Sequence, residues 1–209
     1  MRCRLFKAVL LGLSLCWGPL WADTPQEVAE LIPLAELGDA AAQFSLGTAY
    51  DSGHGVNKDL MQAAIWYEKA AKQGHADAQY NLAVLYDEGD GVHQDFRQAM
   101  YWYEHADRQG VVEAANNLGL MYINGNGVTQ DYKEAFSYFK KAAQKKFADG
   151  QYNLGLMYQS GLGTRKNPVL ALEYFARARH KSPAAARAYE ELFRQLTPQQ
   201  RKTALSALN

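Results

Sequence analysis

"DEGDGVHQD", residues 87–95, sets four acidic side chains around two glycines. Taken alone it reads as a metal-binding loop, a phosphate cradle or a turn. Three further stretches of the same chain decide between them: DSGHGVNKD (51–59), INGNGVTQD (123–131) and QSGLGTRKN (159–167). Asp90 becomes His54, Asn126 and Leu162 in these copies, and Glu88 becomes Ser52, Asn124 and Ser160. A ligand set does not survive such exchange, and the spacing of a calcium or phosphate loop is absent. The glycines do survive, as does the closing residue Asp59, Asp95 or Asp131, with Asn167 in the last copy. The stretch is a turn, and its recurrence is what carries information.

Gly53/Gly55, Gly89/Gly91, Gly125/Gly127 and Gly161/Gly163 repeat at an interval of 36 residues. Leu46, Leu82, Leu118 and Leu154 keep the same step, as do Tyr50, Tyr86, Tyr122 and Tyr158. After each turn come Ala63, Ala99, Ala135 and Ala171. An aromatic pair follows: Trp66-Tyr67, Trp102-Tyr103, Tyr138-Phe139 and Tyr174-Phe175. A constant period of this length predicts a solenoid. Within a unit, Ala42, Leu46 and Tyr50 fall four apart, one face of a helix that the glycines end. Asp59 lies where a carboxylate caps the next helix, whose Ala63, Trp66, Tyr67 and Ala70 form one stripe. Gly38, Gly74 and Gly110 close units, and Lys146 stands in the fourth such place. One unit cannot bury its stripe alone, so neighbours must stack.

The sequence has 209 residues and a formal net charge of zero, which argues against a nucleic-acid surface. Residues 1–22 follow another rule. Arg2, Arg4 and Lys7 precede an apolar run, AVLLGLSLCW, and then Ala22 before Asp23. This is the pattern of a secretory signal peptide, too short to span a membrane. Lipidation at Cys16 is the competing reading, disfavoured by the bulky Leu15. Cleavage after Ala22 leaves 19 basic and 22 acidic residues and removes both cysteines, Cys3 and Cys16. The expected product is periplasmic or secreted, held by packing alone, with no thiol chemistry and no membrane insertion.

The pattern A-x-x-x-L-G-x-x-Y-x-x-G-x-G-V-x-x-D, carried by AQYNLAVLYDEGDGVHQD (78–95) and GQYNLGLMYQSGLGTRKN (150–167), resembles the Sel1-like repeats, relatives of the tetratricopeptide repeats. The resemblance implies an all-α, α/α solenoid: a capping helix over 23–38, four repeats over 39–182 and capping helices over 183–209. TPQEVAELIPLAELG (24–38) is expected to start at Pro25 and break at Pro33, while SPAAARAYEELFRQL (182–196) and TPQQRKTALSALN (197–209) begin with Ser-Pro and Thr-Pro. The resemblance also implies an exported scaffold, in envelope signalling or host interaction, that binds a protein or peptide as a monomer and needs no cofactor. By the tetratricopeptide analogy the first helix of each unit lines a concave face. Its inward positions are then Phe44, Thr48, Asp51 and Ser52; Tyr80, Val84, Asp87 and Glu88; Asn116, Leu120, Ile123 and Asn124; Tyr152, Leu156, Gln159 and Ser160. Phe44, Tyr80 and Tyr152 form an aromatic row, equally suited to contact and to packing between units. Asp51, Asp87 and Glu88 give a negative rim that favours a basic segment.

A second expectation is a small-ligand or cell-wall-fragment binder, extending to β-lactam hydrolysis, since some cysteine-rich relatives are linked to β-lactams. Ser137 and Lys140 match Ser-x-x-Lys, but they fall at variable helix positions. No Ser-Asp-Asn or Lys-Thr-Gly companion occurs in the sequence. His54, His75, His93, His105 and His180 show no metal-ligand spacing and read as surface residues.

Overall fold

The structure is a computed structural model that describes residues 24–206. The expected signal peptide, Cys3 and Cys16 lie outside the described residues. Among those described there are only helices and turns. After α1 (Pro25–Glu36) come four pairs: α2 (Ala40–Ser52) with α3 (Leu60–Lys72), α4 (Ala76–Glu88) with α5 (Phe96–Arg108), α6 (Val112–Asn124) with α7 (Tyr132–Gln144), and α8 (Ala148–Ser160) with α9 (Pro168–Ala178). Two helices follow, α10 (Pro183–Gln195) and α11 (Pro198–Ser206). Each helix packs mainly on its neighbours along the chain, and α10 and α11 both close on α9. This is a solenoid, as the period requires.

The turn is built the same way four times. Gly53, Gly89, Gly125 and Gly161 end the first helices in the left-handed region, at φ between 74° and 79°. The cap residue then turns back. Its N–H reaches the carbonyl of the unit's tyrosine, from Asp59 to Tyr50, Asp95 to Tyr86, Asp131 to Tyr122 and Asn167 to Tyr158, at 2.8–3.0 Å. Its side chain accepts two N–H bonds from the first turn of the second helix, as from Arg97 and Gln98 to Asp95. Asn167 does this as well as the aspartates, because a cap needs only an oxygen acceptor.

The second glycine of each pair has a tertiary role. A Cβ on Gly91 would lie 2.4 Å from the Leu60 carbonyl oxygen, and one on Gly127 2.7 Å from that of Phe96. The loop of one repeat thus sits against the start of the second helix of the repeat before, with no room for a side chain. Gly55 presses in the same way on the Thr24 carbonyl. The amide of Gln43 donates to the Ala35 carbonyl as Gln79 does to that of Ala71. The capping helix α1 therefore stands in the place of a second helix belonging to a preceding repeat.

The core follows the small-and-aromatic alternation. Tyr67, Tyr103, Phe139 and Phe175 are buried, among alanines that are equally buried. The rings lie against the first helices: Cβ atoms on Gly47, Gly119 and Gly155 would come within 2.6 Å of Tyr67, Phe139 and Phe175. Burying each ring contributes roughly 2–3 kcal/mol.

One expectation about the caps fails. Helix α1 does not break at Pro33 but runs through it to Glu36. Thr24 and Glu27 form a capping box at its start, and Val28 and Ala35 are buried against α2 on either side of the proline. Pro33 is exposed, as is Ala29, whose carbonyl loses the donor that a non-proline residue would supply. The packing outweighs that loss. The Ser-Pro and Thr-Pro starts hold: Ser182 caps α10, and Thr197 and Gln200 exchange bonds at the start of α11.

Candidate functional site

The first helices expose one face past the buried Leu46, Leu82, Leu118 and Leu154. Between the second and third repeats that face opens into a cleft of about 300 Å³. Tyr80, Val84, Asp87 and Glu88 of α4 form one wall, and Leu120 and Asn124 of α6 the other. All six are positions expected to face inward. Four further lining residues, Tyr103, Asn117, Met121 and Asn126, were not expected. Asn117 does carry a signal in the sequence, since asparagine recurs at 81, 117 and 153.

A polar network lies at the base of the cleft. The Asn117 amide donates to the Tyr103 hydroxyl at 2.9 Å, and that hydroxyl donates to Asp87 Oδ2 at 3.4 Å. Burial pushes the Asp87 carboxyl above its ordinary range, opposed by the Tyr103 hydrogen bond. Burial also pushes up the Tyr103 phenol, with the Asp87 charge adding to it. Tyr80 rises for the same first reason, helped by the charges of Glu113 and Glu88. In the first repeat the Tyr67 hydroxyl meets Asp51 at 3.2 Å and Thr48 at 3.4 Å. Where the buried ring is phenylalanine, Ile123 or Gln159 stands in place of the acid. The two aspartates of the expected negative rim are thus tied to core tyrosines.

The remaining inward positions separate. Phe44, Tyr80 and Tyr152 are half-buried, and each leans on the buried ring of its own repeat, at 5.8–5.9 Å between centroids. Phe44 is further covered by His75, stacked at 4.4 Å. Asn116 is not part of an open row: it is 7% exposed and accepts a bond from the Asn153 amide at 2.9 Å. The physical cause is Phe139, which offers Asn153 no hydroxyl, so the amide turns to Asn116. Ile123 joins the core around Phe139, and Tyr152 and Leu156 join that around Phe175. Thr48 bonds back to the Phe44 carbonyl, while Gln159 is half-buried and Ser52 and Ser160 are exposed.

His75 departs from the surface reading. It is half-buried, and its Nδ1 accepts the Ala78 N–H at 3.3 Å and caps α4. Ser137 and Lys140 are both exposed on α7. No group of three or more metal-ligating side chains occurs among the described residues. None of the described helices is long and apolar enough to cross a membrane.

No curated protein matches the chain. Among solved structures, it is similar to a Sel1 repeat protein from Oxalobacter formigenes, at 32% identity and a TM-score of 0.73, over 76% of this chain and 65% of that one. It is also similar to a protective antigen with an SLR fold from uropathogenic Escherichia coli, at 39% identity and a TM-score of 0.71, over 74% of this chain. It spans only 33% of that second protein. Residues 40–75, 76–110, 112–147 and 148–181 each match the Sel1 repeat, so the periodicity, the turn geometry and the sequence agree, and the chain belongs to the Sel1 repeat family.

Proposed function

We propose that this protein is an exported adaptor that binds an extended segment of a protein partner along the face of its first helices. Sel1 repeats generally mediate protein–protein interaction, and their proteins are typically non-enzymatic scaffolds. The observation that carries the reading is the cleft between α4 and α6. There six residues from four positions that vary between copies converge, while the buried leucines Leu46, Leu82, Leu118 and Leu154 behind them stay constant. Invariant packing with a variable lining is how a repeat scaffold changes partner without changing fold. The exposed, unaccompanied Ser137 and Lys140 support binding over hydrolysis.

The test is a photo-crosslinking residue placed at Val84, with Lys140 on α7 as control, expressed in the native cell. A defined protein captured at Val84 and not at Lys140 is the expected result. Capture of the same protein at Lys140 alone moves the interface off the first helices. Fractionation with N-terminal sequencing checks the export: a mature chain outside the cytoplasm starting at Asp23 is expected, and an intact chain in the cytoplasm refutes it.

A further inference from the structure

The cleft between the second and third repeats has a definite chemical character. Its walls set an apolar strip, from the Tyr80 ring, Val84 and Leu120, among polar side chains that include Asn117, Asn124 and Asn126. Its ionised groups are of one sign: Asp87 and Glu88, with no lysine or arginine among the lining residues. The second repeat is the one copy with two adjacent acids at this place, against Asp51-Ser52, Ile123-Asn124 and Gln159-Ser160. Glu113 adds a third negative charge near the Tyr80 hydroxyl.

Asp87 is the informative residue. It is half-buried, and its hydrogen bond comes from a neutral phenol at 3.4 Å. No salt bridge pairs it among the described residues, although other acids, Asp107 with Lys141 for one, find a cation. A partly desolvated carboxylate facing a cleft without a counter-ion favours the arrival of a cation from outside.

We propose that this cleft takes an arginine side chain from an extended partner segment. The inference rests on the binding face proposed above and names what that face selects. The aliphatic stem packs between Val84 and Leu120, the planar guanidinium lies along the Tyr80 ring, and its fork reaches Asp87 and Glu88. Arginine fits better than lysine because its flat, weakly hydrated head both stacks and bonds through two nitrogens.

The experiment is a selection of random decapeptides displayed against the immobilised protein. The best binder is then synthesised with arginine, lysine or citrulline at the enriched position. Arginine enrichment is expected, with affinity about tenfold lower for citrulline and about tenfold lower for Asp87→Asn, the size of one charge-assisted hydrogen bond. Glu134→Gln, an exposed acid on the second helix α7 and away from the first-helix face, leaves affinity unaltered. Asp87→Asn retains an oxygen for the Tyr103 hydroxyl, and circular dichroism verifies its fold. Equal binding of the citrulline peptide, or unchanged affinity in Asp87→Asn, overturns the arginine pocket. Binders without arginine whose amide shifts map to other first-helix residues also overturn it but leave the binding face standing. Binders that map only to α3, α5, α7 or α9 overturn both, as does a selection that yields none.

Discussion

The side-chain amide of Asn117 donates a 2.9 Å hydrogen bond to the Tyr103 hydroxyl, across the boundary between the second and third repeats. Tyr103 is 1% exposed, so its oxygen is largely shielded from water and relies on partners supplied by the protein. Asn117→Ala takes away the better of the two. It is expected to lower stability by about 1–2 kcal/mol, read as a shift in the urea midpoint. Tyr103→Phe combined with Asn117→Ala should cost less than the two changes added, because the first removes the need for the second. Additive losses would show that the bond carries no coupling.

Gly119 is helical, and alanine there should gain about 1 kcal/mol from propensity alone. The Phe139 ring reverses that sign. It stands 2.6 Å from the position of the new Cβ and is 2% exposed, so it has nowhere to go. Overpacking costs roughly 1–3 kcal/mol. Gly119→Ala is expected to be destabilising overall and to lower the thermal midpoint. A rise would mean that the ring and helix can separate freely.

Lys146 has φ +59°, the place where Gly38, Gly74 and Gly110 have φ of 91–98°. A Cβ at Gly74 or Gly110 meets nothing within 4 Å, so backbone conformation and not space selects glycine. A left-handed lysine costs about 1–2 kcal/mol, part of which glycine returns as unfolded-state entropy. Lys146→Gly should therefore stabilise by about 1 kcal/mol and raise the melting temperature by a few degrees. An unchanged or lower melting temperature refutes the strain.

The Asp87 carboxyl is raised by burial in the fold and takes its ordinary value, about 4, when unfolded. Below that value it is neutral in both states. As pH rises through the ordinary value and on through the raised one, the fold must hold a poorly solvated charge and loses stability. Asp87→Asn removes this dependence. The gap in melting temperature between variant and wild type should open in the variant's favour across the carboxylate range and then stay level. The effect is small, below about 1 kcal/mol, because a half-exposed group is screened. A gap that closes with rising pH would reverse the assignment.

Much of the fold is legible in the residues one by one. The caps Asp59, Asp95 and Asp131 and the left-handed Gly53, Gly89, Gly125 and Gly161 act through backbone bonds only a few positions away. Their effect survives in any context, and the 36-residue period then obliges the units to stack. What packing decides is of another kind. Pro33 stays inside α1 because Val28 and Ala35 are buried on both sides of it. Gly91 and Gly127 are needed for contacts with Leu60 and Phe96, about 30 residues earlier in the chain. Asn116 is buried while Asn117 faces the cleft, because Tyr103 holds one amide and Phe139 releases another. These outcomes depend on which side chain of one repeat meets which of the next, and local propensity contains no term for that meeting.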